Sequence, residues 1–239
     1  TEVSKSVSSM VLADDNFATI IVAVKEGRRI YNNIINVITY LLASNLAEIL
    51  IIFISTLINH VFLLPIQILW INLVSDTLPA IALGFEKEER GIMHEKPRNS
   101  SESIFNPFLI TRIVVAGIFK TIVVFTMFFI LNNYQGEAMA KSAIFITLCL
   151  IEIIFAFICR SDKKSVFKIG LFSNKPMFFC VVGAILIHIA ILAIPALSEL
   201  LKIAPMNIHV YIVIIVTTLF SAIMLEILKL IVAKIFKKA

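Results

Sequence analysis

Six long apolar blocks, separated by short polar segments, constrain the fold of this sequence more than any other feature. A helix that crosses the hydrocarbon core of a bilayer needs about 20 consecutive apolar residues, and most of the blocks are longer than that. Each block is predicted to be helical, because lipid offers no partner to an exposed backbone hydrogen-bonding group. The predicted membrane spans are residues 34–58, 61–83, 108–131, 138–158, 177–194 and 210–236.

The composition excludes an ordinary soluble domain. Of the 239 residues, 59% are hydrophobic and only 15% are charged, which leaves too little polar surface to cover a water-soluble core. We therefore predict an all-α, multi-pass integral membrane protein whose six helices form a bundle in the lipid bilayer. The net charge of +5 is attributed to membrane topology, and no nucleic-acid partner is expected. The cysteines Cys149, Cys159 and Cys180 predict neither a disulfide framework nor a zinc site.

Basic residues are distributed unevenly between the loops, and this bias predicts the orientation in the membrane. They cluster before the first span, after the second, after the fourth and after the sixth, whereas the remaining loops hold only Lys141 and Lys202. Lys and Arg are in excess on the cytoplasmic side of membrane proteins, so both termini are predicted to be cytoplasmic. In residues 1–33, Asp14 and Asp15 precede a predicted helix that runs on into the first span, and they are candidates to cap it. Because the chain starts at Thr1 and not at a methionine, we expect a longer protein.

Three of the spans contain polar residues that a bilayer interior does not tolerate without a reason. An ionisable group at mid-depth costs at least about 2.5–3.5 kcal/mol. Residues three and four apart share a helical face, and the short turn at residues 59–60 allows the polar faces of the first two spans to meet. The residues concerned are Ser44, Asn45 and Glu48 in the first span, Asn72, Ser75 and Asp76 in the second, and Glu152 in the fourth.

Three carboxylates and two amides at membrane depth are typical of a site for a hard cation. Ca²⁺ takes six to eight oxygen ligands from carboxylates, amides, backbone carbonyls and water. Pro79 adds to this interpretation, because it interrupts helical bonding one turn earlier and frees the carbonyl of Ser75 as a further ligand. Two alternatives stay open: the carboxylates are neutralised by protonation, and isolated Asn or Ser side chains bond neighbouring helices. Glu152 has no supporting polar residue on its own helix.

The remaining charged residues of the spans receive simpler interpretations. Lys120 either extends towards the cytoplasmic surface or pairs with a carboxylate such as Glu152, and the first is favoured. His188 is expected to make a hydrogen bond in packing, and Glu226 to pair locally with Lys229. The charged run at residues 86–90 is predicted to be a solvated loop.

Two groups of motifs resemble the P-type ATPases. The segment Met10-Val11-Leu12-Ala13-Asp14-Asp15-Asn16-Phe17, followed by Glu26-Gly27-Arg28, is similar to the end of their phosphorylation domain. The segment Ser44-Asn45-Leu46-Ala47-Glu48 resembles their fifth transmembrane helix, and Leu69-Trp70-Ile71-Asn72-Leu73-Val74-Ser75-Asp76 with Leu78-Pro79-Ala80 resembles the sixth. The pattern is most similar to calcium pumps of the sarco/endoplasmic-reticulum type. It implies that residues 1–33 are the end of the phosphorylation domain and a stalk, and residues 34–239 transmembrane helices five to ten.

The resemblance implies two calcium sites. In one, the ligands are Asn45, Glu48, Ser75, Asp76 and Glu152, and in the other Asn72 and Asp76 act with the fourth helix of the pump. Sodium and potassium pumps usually have Asp at the position of Asn72, and secretory-pathway pumps, which also carry manganese, lack the carboxylate of Glu48. Two departures from the calcium-pump pattern are Ser75 in place of Thr and Thr77 in place of Gly.

The function implied is ATP-driven export of Ca²⁺ from the cytoplasm by alternating access. The Asp-Lys-Thr-Gly-Thr phosphorylation motif of the family is absent from this chain, as is a Gly-rich phosphate loop. ATP and Mg²⁺ are therefore expected to act in a missing N-terminal part of the same pump, located in the plasma membrane if the organism is prokaryotic. A passive cation channel or membrane interaction module is the rival hypothesis, and Mn²⁺, H⁺ and Na⁺ are the alternative ions.

Overall fold

The regular structure of the chain is entirely helical in the part that the structure describes. This computed structural model describes residues 2–13, 16–89, 91–94, 97, 103–162 and 164–238. The helices are α1 (Glu2–Val7), α2 (Phe17–Leu57), α3 (Pro65–Trp70), a π-helix (Ile71–Asp76), α4 (Thr77–Gly84), a 3₁₀ turn (Ile92–His94), α5 (Pro107–Gln135), α6 (Glu137–Ile158), α7 (Val166–Ile169), α8 (Lys175–Ala193), α9 (Pro195–Leu200) and α10 (Ile208–Lys238).

Six helical stretches among the described residues are long and apolar enough to cross a membrane. The prediction of an all-α protein with six spans is therefore confirmed, and the orientation of the termini stays a prediction. The six stretches are Phe17–Leu57, Pro65–Gly84, Pro107–Gln135, Glu137–Ile158, Lys175–Ala193 and Ile208–Phe236.

Helix α2 continues without a break from the polar lead into the first span, as predicted. Asn16 caps it, because its side chain accepts a hydrogen bond from the amide of Ala18 at 3.0 Å; Asp14 and Asp15 lie outside the described residues. The turn that follows includes Asn59 with a left-handed φ of 57°. The second span begins at Pro65 and not at residue 61, because proline suits the first position of a helix and residues 61–64 form the end of the turn.

Helix α6 is the centre of the bundle. It packs against α5 and α10 along much of its length and also touches α2, α4, α8 and the π-helix. Most of its side chains are buried, whereas α8 and α10 leave many large apolar side chains exposed. An outer surface of this kind suits contact with lipid, since the helices inside the bundle are held by close packing and not by exclusion of water.

Gly117 is a point of close approach between α5 and α2. A Cβ atom added there would lie 2.9 Å from Cδ2 and 3.2 Å from Cβ of Leu46. The Gly117→Ala variant is therefore expected to separate the two helices and to lower the free energy of unfolding by about 1–3 kcal/mol. Gly183→Ala in α8 is the matched control, because nothing lies within 4 Å of its added Cβ. Thermal unfolding in detergent measures the difference, and equal midpoints for the two variants would contradict the proposed contact.

The prediction of a solvated loop at residues 86–90 is wrong for its first residue. Glu86 is only 5% exposed, and it forms an ion pair of 2.7 Å with the buried guanidinium of Arg160. Glu88 and Glu89 also pair, with Lys25 at 2.7 Å and Lys164 at 2.9 Å, while Arg90 lies outside the described residues. The loop is held because α6 ends inside the bundle, where Arg160 needs an anionic partner.

Candidate cation site

The π-helix positions the polar residues of the second span. Pro79 has no N–H, so the carbonyl of Ser75 loses its helical donor, and the hydroxyl of Tyr40 donates to that carbonyl at 3.1 Å. The hydroxyl of Thr77 donates to the carbonyl of Asn72 at 2.8 Å. The predicted interruption of the helix is confirmed, but the freed carbonyl of Ser75 already has a partner from α2.

Glu48 and Asn72 join α2 to the π-helix. Glu48 is 3% exposed, and its Oε2 accepts a hydrogen bond from Nδ2 of Asn72 at 2.9 Å. The same amide donates to the carbonyl of Ile68 at 3.0 Å. Oε1 of Glu48 has no hydrogen-bond partner among the residues that the structure describes, so half of this buried carboxylate remains unsatisfied.

Asp76 repeats this arrangement one turn further along the second span. It is 1% exposed, and its Oδ1, at 3.2 Å from the hydroxyl of Tyr40, shares that single O–H donor with the carbonyl of Ser75. Its Oδ2 is without a hydrogen-bond partner within the described ranges. Buried acceptors are rarely left unpaired, because each costs about 1–3 kcal/mol and charged groups cost more. These two oxygens lie on helices that face each other, and each can bind a proton or coordinate a cation.

Glu152 differs from the other two carboxylates because Lys120 occupies both of its oxygens. Nζ of Lys120 lies 2.9 Å from Oε1 and 2.8 Å from Oε2, and the hydroxyl of Ser44 donates to Oε2 at 2.5 Å. Both charged residues are fully buried. The favoured expectation that Lys120 extends towards the membrane surface is wrong, and the alternative, a pair with Glu152, is what the structure has. A buried carboxylate at the same depth offers the ammonium group a stronger partner.

The remaining predicted residues line the cluster without completing it. Asn45 is half-buried, and its side chain makes no hydrogen bond with another described residue. The hydroxyl of Ser75 is buried and lies 3.4 Å from Nε2 of His188. Nδ1 of His188 lies 2.7 Å from the carbonyl of Ala184, so the expected hydrogen-bonded packing role of this histidine is confirmed. The expected pair of Glu226 and Lys229 is also confirmed, at 2.8 Å.

The cluster as a whole is electrostatically connected but does not enclose an ion. Asp76 interacts electrostatically with Glu48, Glu152 and Lys120. Within the described part of the chain, however, no three His, Cys, Asp or Glu side chains lie close enough together to hold a metal ion. A site for Ca²⁺ in this cluster therefore needs oxygens from amides, hydroxyls, backbone carbonyls or water in addition to the carboxylates.

Sequence reasoning missed Tyr40 and gave Ser44 no specific partner, although both residues shape the cluster. Tyr40 bridges the Ser75 carbonyl and Asp76, and Ser44 contacts both Glu152 and Lys120. A signal was present, because Tyr40, Ser44 and Glu48 are spaced four residues apart and so follow one face of α2. For the ion pair of Lys120 with Glu152, the sequence gave only the general indication that a charged residue lies in an apolar block.

Comparisons with known proteins agree over most of the chain. The family model described as the C-terminus of cation-transporting ATPases matches residues 60–231. A protein of Bacillus subtilis named calcium-transporting ATPase is 42% identical over 203 residues, covering 84% of this chain and 23% of the relative. Calcium-transporting ATPase 1 of Bacillus cereus is 34% identical over 247 residues, covering 96% of this chain and 28% of the relative.

A plant relative extends the similarity beyond bacteria. An endoplasmic-reticulum-type protein of Arabidopsis thaliana, calcium-transporting ATPase 3, is 33% identical over 237 residues, covering 87% of this chain and 24% of the relative. The chain thus spans about a quarter of the length of these relatives.

Proposed function

The chain belongs to the cation-transporting ATPase family, whose C-terminal part it matches, and from this membership we propose that it is the ion-binding transmembrane portion of an ATP-driven calcium pump. The observation that carries the proposal is the pair of buried carboxylates, Glu48 and Asp76, each with one oxygen that has no partner among the described residues. The names of the relatives favour Ca²⁺ as the transported ion.

The polar lining of the proposed site consists of the residues singled out in the sequence. Glu48, Asn72 and Asp76 form its centre, because their oxygens come from two helices that face each other. The proposed lining also includes Asn45, Ser75 and Glu152, the last of which is paired with Lys120. Further ligands are proposed to come from the remainder of the pump, because Ca²⁺ prefers six to eight oxygen ligands and no three acidic side chains converge among the described residues.

Helix α2 is proposed to link events outside the membrane to the site. Its 41 residues extend about 60 Å at roughly 1.5 Å per residue, about twice the ~30 Å of the hydrocarbon core. It carries Tyr40, Ser44 and Glu48, which contact the second and fourth spans. A tilt imposed on the polar end of a continuous helix therefore moves the site residues directly.

The chemical step is proposed to take place in a part of the pump that this chain does not include. ATP and Mg²⁺ act there, and an aspartate becomes phosphorylated. Phosphorylation tilts α2, and the bound ion then leaves on the side opposite the cytoplasm, with both termini of this chain cytoplasmic. The pump lies in the plasma membrane if its organism is prokaryotic.

Phosphoenzyme formation by the full-length protein tests this proposal. We expect micromolar Ca²⁺ to switch on incorporation of phosphate from labelled ATP, with Mn²⁺, Na⁺ and a change of pH each failing to substitute. A response to one of these other ions would keep the pump and overturn the assignment of Ca²⁺. No phosphoenzyme under any ionic condition would refute a pump and favour a passive channel or interaction module.

A further inference from the structure

In the buried ion pair between Lys120 and Glu152, every N–H donor of the lysine has an acceptor within reach. The ammonium group has three N–H donors, and three acceptors lie within reach: both carboxylate oxygens at 2.9 and 2.8 Å and Oγ of Ser44 at 3.2 Å. The ring of Phe155 also lies 4.3 Å from the same nitrogen. Both charged side chains have no exposed surface.

We propose that Lys120 is a tethered cation that takes the place of a second transported ion at Glu152, so that the pump carries one divalent ion per cycle. This inference rests on the proposed function and sharpens it. It departs from the two-site arrangement that the family resemblance implies, because Glu152 is neutralised from within the chain.

The charges of the cluster agree with one divalent ion. In their ionised forms Glu48, Asp76 and Glu152 carry three negative charges and Lys120 carries one positive charge, so the net charge of these four residues is −2. One Ca²⁺ neutralises that charge, whereas a second Ca²⁺ requires two further negative charges from the remainder of the pump. Uncompensated charge in a low-dielectric interior is strongly disfavoured.

The packing of α5 keeps Lys120 where it is. Gly117 lies three residues earlier on the same helical face. Because it has no side chain, α5 lies close to α2 at Leu46. That contact places the ammonium group against Ser44 of α2. For Ca²⁺ to coordinate Glu152, Lys120 must leave its three acceptors, and the other carboxylates with which it interacts electrostatically, Glu48 and Asp76, are those proposed to bind the transported ion.

The number of Ca²⁺ ions bound per phosphorylatable site tests the inference in the full-length pump. Radioactive Ca²⁺ bound at equilibrium is divided by the maximal phosphoenzyme formed from ATP, so that misfolded protein is not counted. We expect one ion in the wild type and one in Lys120→Arg, which keeps the charge. In Lys120→Met we expect the ratio to rise towards two, because Glu152 becomes available.

A double variant separates charge from structure. Lys120→Met combined with Glu152→Gln removes one charge of each sign, and its ratio is expected to return to one. Two ions in the wild type, or a ratio unchanged in Lys120→Met, would overturn the role of Lys120 while the pump itself stands. Absence of any Ca²⁺-activated phosphoenzyme in the wild type would instead refute the proposed function, and this inference with it.

Discussion

Replacing Asp76 with asparagine is expected to abolish phosphorylation of the full-length pump at Ca²⁺ concentrations that saturate the wild type. Asparagine keeps the size of the side chain and an oxygen to accept the hydrogen bond of Tyr40, so the local structure is retained. It loses the negative charge at the unpartnered Oδ2. Removing one partner of a buried charge pair costs about 3–5 kcal/mol, which corresponds to more than about a hundredfold weaker Ca²⁺ binding.

Glu137→Gln is the matched control for this variant. Glu137 also carries a carboxylate in a membrane helix, but it is exposed and pairs with Lys141 and His60. Its removal is expected to leave the Ca²⁺ dependence of phosphorylation unchanged. A titration curve of Asp76→Asn that coincides with the wild type would remove Asp76 from the site, and a loss of similar size in both variants would indicate a general effect on the membrane domain.

The fold was predictable because each membrane helix is encoded locally. A block such as residues 108–131 satisfies its backbone within itself, so its length and hydropathy suffice to identify it. The ends of the helices depend on equally local signals, and Pro65 and Asn16 each fix a helix start. The interruption at the π-helix was also visible in advance, since Pro79 alone removes a helical hydrogen bond.

The site was predictable only as far as its residues share a helical face. The spacing within each of the first two spans brings Glu48 to Asn72, and the structure joins them at 2.9 Å. The partner of Lys120 depends on how α5 is rotated about its axis and how closely it approaches α2. Both depend on packing between the two helices, including the contact of Gly117 with Leu46, and neither helix sequence alone specifies that packing.

The prediction of a solvated loop at residues 86–90 is wrong at Glu86 for a related reason. A run of charged residues is usually solvated, and local sequence carries no sign of a partner in a distant segment. Glu86 finds Arg160, 74 residues later in the chain. Only the arrangement of the whole bundle brings the end of α6 to this loop. The local sequence therefore predicts a solvated loop where the structure has a buried charge pair.

Arg160→Met is expected to cause the largest loss of stability among single substitutions at the polar end of the bundle. The guanidinium donates two hydrogen bonds to Glu86, at 2.7 and 2.8 Å, and one to the carbonyl of Gly170 at 2.9 Å. It also contacts the hydroxyl of Ser173. Methionine leaves the Glu86 carboxylate buried with Asn174 as its one remaining donor among the described residues. Breaking a buried pair in this way costs about 3–5 kcal/mol in the free energy of unfolding.

A second pair in the same loop provides the control for Arg160→Met. Lys25 and Glu88 form an ion pair of 2.7 Å, but their side chains are 41% and 38% exposed. Exposed pairs contribute only about 0–1 kcal/mol, so Lys25→Met should barely change the thermal midpoint of the full-length protein in detergent. The double variant Arg160→Met with Glu86→Met is expected to recover part of the loss, because no unpaired charge remains buried. Equal midpoints for Arg160→Met and Lys25→Met would mean that the buried network does not hold the loop, whereas a large loss that the double variant partly reverses identifies the stranded Glu86 carboxylate as its cause.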